Sequence, residues 1–142
     1  MRAEGLALSH VLVIDDNPRV LTSMKAMLEA LGFDVSVAGD GDEGLRHFRE
    51  EPCDLVISDI IMPKKDGFET VRELREITQD VPIIVMSGGS KLGGSAREAT
   101  RDALDLAETL GATRTISKPF SEDDLIKVIR ECLVEKGTGL LG

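Results

Sequence analysis

The sequence predicts an α/β fold, a three-layer sandwich in which a doubly wound, five-stranded parallel sheet lies between two layers of helices. Two observations carry this. Five short apolar runs alternate with five longer amphipathic stretches along the 142 residues, the order that strands and crossover helices take in a parallel sheet. Runs such as "HVLVID" (10–15), "CDLVISD" (53–59) and "VPIIVMS" (81–87) are apolar without a break until a polar residue closes them, as strands buried on both faces are.

The elements follow in order. "HVLVID" is the first strand. Asn17 can cap the next helix and Pro18 suits its first position, after which Leu21, Met24, Leu28 and Leu31 keep helical spacing until Gly32. "FDVSVA" (33–38) alternates like a strand, and "DGDEGLRHFREE" (40–51) reads as a short helix. After "CDLVISD", the stretch "MPKKDG" (62–67) reads as a shaped loop. Its Asp66 caps a helix over Gly67 to Thr78, with Phe68, Val71 and Leu74 on one face. "VPIIVMS" is the fourth strand, and "GGSKLGGS" (88–95) reads as a flexible loop without the spacing of a nucleotide P-loop. A helix over 96–110 puts Ala99, Ala103, Leu106, Ala107 and Leu110 on one face, and "TRTISK" (113–118) is a weaker fifth strand. Ser121 caps a last helix over 121–136, with Leu125, Val128, Ile129 and Cys132 turned inward.

Composition excludes several classes. The length suits one domain with a real core. A net charge of −9, with the basic residues unclustered, opposes nucleic-acid binding. No run is long and apolar enough for a membrane helix, and the first ten residues do not form a secretory signal, so a cytoplasmic location is expected. Cys53 and Cys132 sit among apolar residues without metal-ligand spacing and read as buried free thiols. His10 and His47 read as surface or edge residues.

In parallel sheets, ligands bind beyond the carboxyl ends of the strands. Asp15 and Asp16 close the first strand and Asp59 the third, Ser87 ends the fourth, and Lys118 closes the fifth. Singly, each aspartate is a common turn former or cap. Together on neighbouring strands, three carboxylates about 5 Å apart repel by roughly 3 kcal/mol per pair at an effective dielectric near 20, which calls for a proton or a cation. A hard divalent ion, Mg2+ or its substitute Mn2+, suits such ligands and shares its remaining positions with phosphate oxygen and water. Ser87 and Lys118 supply donors for a phosphoryl group.

The set "IDD" (14–16), "SDIIMPKKDG" (58–67), "MSGG" (86–89) and "SKPF" (117–120) resembles the receiver domain of two-component response regulators, over roughly residues 8 to 136. The resemblance implies a flavodoxin-like sheet of order 2-1-3-4-5 and a cis bond between Lys118 and Pro119. It makes Asp59 the phosphoacceptor for a sensor histidine kinase or a histidine phosphotransfer protein. It implies direct Mg2+ binding by Asp16, Asp59 and the backbone carbonyl of Ile61, with Asp15 acting through water. Ser87 and Lys118 go to the phosphoryl oxygens, and Asp59 and Lys118 carry the catalysis. The division expected is an N-terminal extension over 1–9, a receiver over 10–136 with an enlarged segment 88–110, and a tail over 137–142.

Two departures from the pattern stand out. Ser87 and Lys118 lie 31 positions apart, longer than the resemblance implies by about two helical turns. Thr115 stands where the fifth strand usually carries a switch aromatic. The resemblance places Ile61 and Gly89 at positions that govern water access; neither carries a side chain able to orient a water, so a slowly lost phosphoryl group is expected.

The expected function is a phosphorylation-activated switch without an output domain. It catalyses only its own phosphoryl transfer and dephosphorylation, is not a turnover enzyme, and signals by binding an unidentified protein target, with neither nucleic acid nor membrane as partner. A haloacid dehalogenase type of aspartyl-phosphate phosphatase needs a second aspartate two positions after its nucleophile, where Asn17 or Pro18 stands. A phosphorylation-independent scaffold has no use for the full acidic and Ser/Lys set, and a flavin carrier fits poorly with 3% aromatics.

Overall fold

The computed structural model describes residues 9–60, 66–88 and 105–136. Its strands are β1 (His10–Ile14), β2 (Asp34–Ala38), β3 (Leu55–Asp59), β4 (Ile83–Gly88) and β5 (Arg114–Lys118). Its helices are α1 (Pro18–Ala30), α2 (Gly41–Glu50), α3 (Gly67–Ile77), α4, described over 105–110, and α5 (Glu122–Lys136). All strand pairs are parallel and the sheet order is β2-β1-β3-β4-β5, as expected.

Side chains one position apart on a strand face opposite sides of the sheet, which splits the core into two layers. Leu12, Ile14, Val56, Ile83 and Val85 pack with Leu45 and Phe48 of α2, Val71 and Leu74 of α3 and Ala107 of α4. Val11, Val13, Leu55, Ile57, Ile84 and Met86 pack on the other side with Met24 and Leu28 of α1 and Leu125, Ile129 and Cys132 of α5. The three central strands, β1, β3 and β4, are covered on both faces, which explains their unbroken apolar character. Cys53 and Cys132 are buried thiols outside any disulfide. Among the described residues no helix is long and apolar enough to cross a membrane.

Local chemistry starts the helices where the sequence places them. Asn17 Oδ1 accepts from the Arg19 amide at 2.9 Å with Pro18 opening α1, and Asp66 Oδ1 accepts from the Glu69 amide at 2.9 Å to cap α3. Ser121 and Asp124 bond reciprocally across the first turn of α5, at 3.0 and 3.2 Å.

Two expectations need correction. Leu106 does not share the inward face of α4: it is 46% exposed, whereas Ala107 is fully buried and Leu110 half-buried. At roughly 100° per residue, the helix is turned so that Ala107 faces the sheet, leaving Leu106 on the solvent side. His10, read as a surface or edge residue, opens β1. Its ring is half-buried, with Nε2 bonded to Ser36 Oγ at 2.7 Å and Nδ1 3.1 Å from Glu51 Oε1, because a polar ring at the start of a central strand must find partners. Gly88, read as the start of the loop 88–95, instead closes β4; residues 89–95, Gly89 among them, Ala99, Ala103, Ile61 and the terminal segments 1–8 and 137–142 lie outside the described residues.

Candidate functional site

The register of the sheet assembles the site. Asp59 pairs with Met86 and Lys118 with Gly88, while Ile14, just before Asp15, pairs with Ser58. Counting by twos, Asp15, Asp59 and Lys118 fall on the face that packs against α1 and α5, at the carboxyl end of three strands. Lys118 stands level with Gly88, which carries no side chain. Its ammonium Nζ lies 3.2 Å from Asp15 Oδ2 and 3.6 Å from Asp59 Oδ2.

Asp15 and Asp59 are buried and Asp16 is half-buried at the mouth. One carboxylate oxygen from each of these three residues lies within 4.8 Å of the others, so together they could hold a metal ion. Three carboxylates this close repel one another, and an all-oxygen set of this kind suits a hard divalent cation. Burial pushes the Asp15 carboxyl above its ordinary value. The Asn17 amide, which donates to Asp15 Oδ1 at 2.9 Å, pulls the other way; Asp59 adds to the rise and Lys118 opposes it.

The Ser87 hydroxyl is wholly buried and, among the described residues, has no hydrogen-bond partner. A buried hydroxyl without a partner costs about 1–3 kcal/mol, so a donor left in this state at the sheet's carboxyl end fits a phosphoryl oxygen well. The bond between Lys118 and Pro119 is cis. Thr115 is half-buried opposite Val85, on the face of β5 away from Lys118, so it does not join the carboxylate cluster. The Ile61 carbonyl lies outside the described residues.

A family model described as the response regulator receiver domain matches residues 11–130. The chain belongs to the response regulator receiver family. Among curated proteins, this receiver is 36% identical over 133 residues to the transcriptional regulatory protein PrrA of Mycobacterium leprae, covering 94% of this chain and 53% of that one. It is 33% identical over 126 residues to the transcriptional regulatory protein CpxR of Escherichia coli K12, covering 89% and 50%. The chain thus spans about half the length of the curated relatives it matches. Among solved structures it resembles a response regulator receiver domain protein from Clostridium thermocellum, with a TM-score of 0.80, 34% identity and coverage of 92% and 98%. A CheY-like receiver domain protein from Methanospirillum hungatei gives a TM-score of 0.80 at 27% identity, with the same coverage.

Sequence reasoning missed two features that shape the receiver. Gly67 opens α3 directly against the strand that carries Asp59: its amide donates to Ile60 O at 2.7 Å, and a Cβ there would meet Asp59 O at 2.5 Å and Ile60 Cα at 2.6 Å. Only a residue without a side chain permits this approach. At the opposite end of the sheet, the half-buried Arg75 donates to Gly111 O at 2.9 Å, Val81 O at 2.7 Å and Thr113 Oγ1 at 3.3 Å. It ties α3 to the starts of β4 and β5. Burial lowers the Arg75 pKa, with Asp80 pulling it back up. The sequence signal for Gly67 was its place after the cap Asp66; Arg75 gave none, since a charged residue near a helix end is ordinarily solvated.

Proposed function

We propose that this receiver accepts a phosphoryl group on Asp59 from the phosphohistidine of a sensor histidine kinase or a histidine phosphotransfer protein. The observation that carries the reading is the meeting of the Asp15, Asp16 and Asp59 carboxylates within 4.8 Å, with the Lys118 ammonium 3.2 and 3.6 Å from two of them. In the transfer, an Asp59 carboxylate oxygen attacks phosphorus, the P–O bond forms as the P–N bond breaks, and the imidazole leaves with a proton in place of the phosphoryl group. Lys118 already stands beside the nucleophile, where its N–H donors meet the phosphoryl oxygens. Ser87 supplies a donor that no described residue engages. Asp15 and Asp16, with Asp59 and the Ile61 carbonyl that the resemblance adds, would hold Mg2+. When bound, the cation neutralises the charge shared by carboxylates and phosphoryl group.

The product is a mixed anhydride that changes the charge at the mouth of the sheet, and the chain acts as a switch through binding that differs between the two states. It performs chemistry on itself and does not turn over a substrate. A cytoplasmic setting is our reading, and the net charge of −9 disfavours nucleic acid as a partner of the receiver surface itself; the curated relatives are transcriptional regulatory proteins of about twice this length. Incubation with a radiolabelled phosphohistidine donor and Mg2+ tests the proposal. We expect an acid-stable, base-labile label on the wild type and none on Asp59→Asn; equal base-labile labelling of both overturns it.

A further inference from the structure

At the end of β3 the peptide unit joining Asp59 to Ile60 is hydrogen-bonded at both ends. The Ile60 N–H donates to Met86 O at 3.0 Å, and Asp59 O accepts from the Ser58 hydroxyl at 3.0 Å. The same carbonyl oxygen is pressed by Gly67, where an added Cβ would stand only 2.5 Å away. The unit before Asp59 belongs to the sheet, where Ser58 pairs with Ile14 on one side and Val85 on the other. With both flanking peptide planes held, the Cα–Cβ bond of Asp59 has one direction, and its carboxylate points at Lys118.

Ser58 is an odd choice for packing. It is fully buried, its cross-strand neighbours are aliphatic, and Val56 and Ile60 on the same face of β3 belong to the apolar core. An alanine or valine would suit that layer without bringing in a polar atom. The hydroxyl spends its hydrogen bond on one atom, the carbonyl of the phosphoacceptor. We infer that Ser58 is a positioning residue for Asp59, its hydroxyl fixing the Asp59–Ile60 peptide so that the carboxylate is aimed before the phosphodonor arrives. The inference rests on Asp59 being the phosphoacceptor.

The test compares wild type, Ser58→Ala and Ser58→Thr for the rate of Asp59 phosphorylation by phosphoramidate with Mg2+, beside thermal unfolding and the Ile60 amide resonance. Small misplacements of a reacting group cost one to two powers of ten in rate. We expect Ser58→Ala to remain fully folded at the assay temperature yet react about tenfold more slowly at saturating donor, with the Ile60 amide resonance shifted. Ser58→Thr, which keeps the hydroxyl, should restore both rate and resonance. An Ala variant as fast as wild type, a loss of rate that merely follows a loss of folded protein, or a Thr variant as slow as Ala overturns the positioning role while leaving Asp59 as the acceptor. A wild type not labelled on Asp59 overturns the underlying reading and this inference with it.

Discussion

Gly67→Ala tests how tightly the start of α3 is packed behind Asp59. The new Cβ would stand 2.5 Å from Asp59 O and 2.6 Å from Ile60 Cα, both backbone atoms that cannot swing aside. Reaching the ordinary contact distance of 3.4 Å from 2.5 Å requires the β3–α3 junction to open by about 0.9 Å. Overpacking of this kind costs about 1–3 kcal/mol. Alanine returns at most about 1 kcal/mol of helix propensity, and less at the first helical position. A net loss of about 1–2 kcal/mol remains, lowering the melting temperature by roughly 3–8 °C for a domain of this size. Urea and thermal unfolding followed by circular dichroism measure it, and Mg2+ titration calorimetry should show weakened binding because the displaced atoms belong to Asp59. A Gly67→Ala protein as stable as wild type, with unchanged Mg2+ affinity, would refute the reasoning.

Asp15→Asn should stabilise the metal-free protein at neutral pH by about 1 kcal/mol, read by chemical denaturation. Burial raises the Asp15 pKa in the folded state, so ionising it costs stability above that pKa. The advantage of the asparagine should therefore shrink as pH falls through the raised folded pKa toward the ordinary carboxylate value, and an advantage that grows on acidification contradicts the sign. Lys118→Met removes the ammonium lying 3.2 and 3.6 Å from two buried carboxylates. It should lower metal-free stability by about 1–3 kcal/mol while raising Mg2+ affinity about tenfold by removing a competing cation; unchanged affinity by calorimetry would count against competition. Arg75→Ala leaves the carbonyls of Gly111 and Val81 without their guanidinium donor, and should cost about 2–4 kcal/mol in urea unfolding without altering Mg2+ binding.

What was legible in the sequence was whatever periodicity and strand ends encode. Asp15, Asp59, Ser87 and Lys118 could be placed at one mouth because each closes an apolar run, and a parallel sheet brings such ends together. The caps at Asn17, Asp66 and Ser121 were legible because capping is local chemistry. Contacts between elements distant in the chain were not. Arg75 meets Gly111 36 positions away, and His10 meets Ser36 only because β1 and β2 pair. Helical spacing groups Leu106 with Leu110 but does not say how far the helix is rotated about its axis, and Ala107 rather than Leu106 took the buried place. Ser58 and Gly67 owe their meaning to the Asp59–Ile60 peptide that both meet.

The central claim is that Asp59 is the residue that carries the phosphoryl group. Treatment with phosphoramidate and Mg2+, borohydride reduction of the acyl phosphate to homoserine, and mass-spectrometric mapping of the peptides test it directly. We predict homoserine at position 59 of the wild type and at neither 15 nor 16. Homoserine at 15 or 16 in its place would contradict the account and favour an aspartyl-phosphate phosphatase.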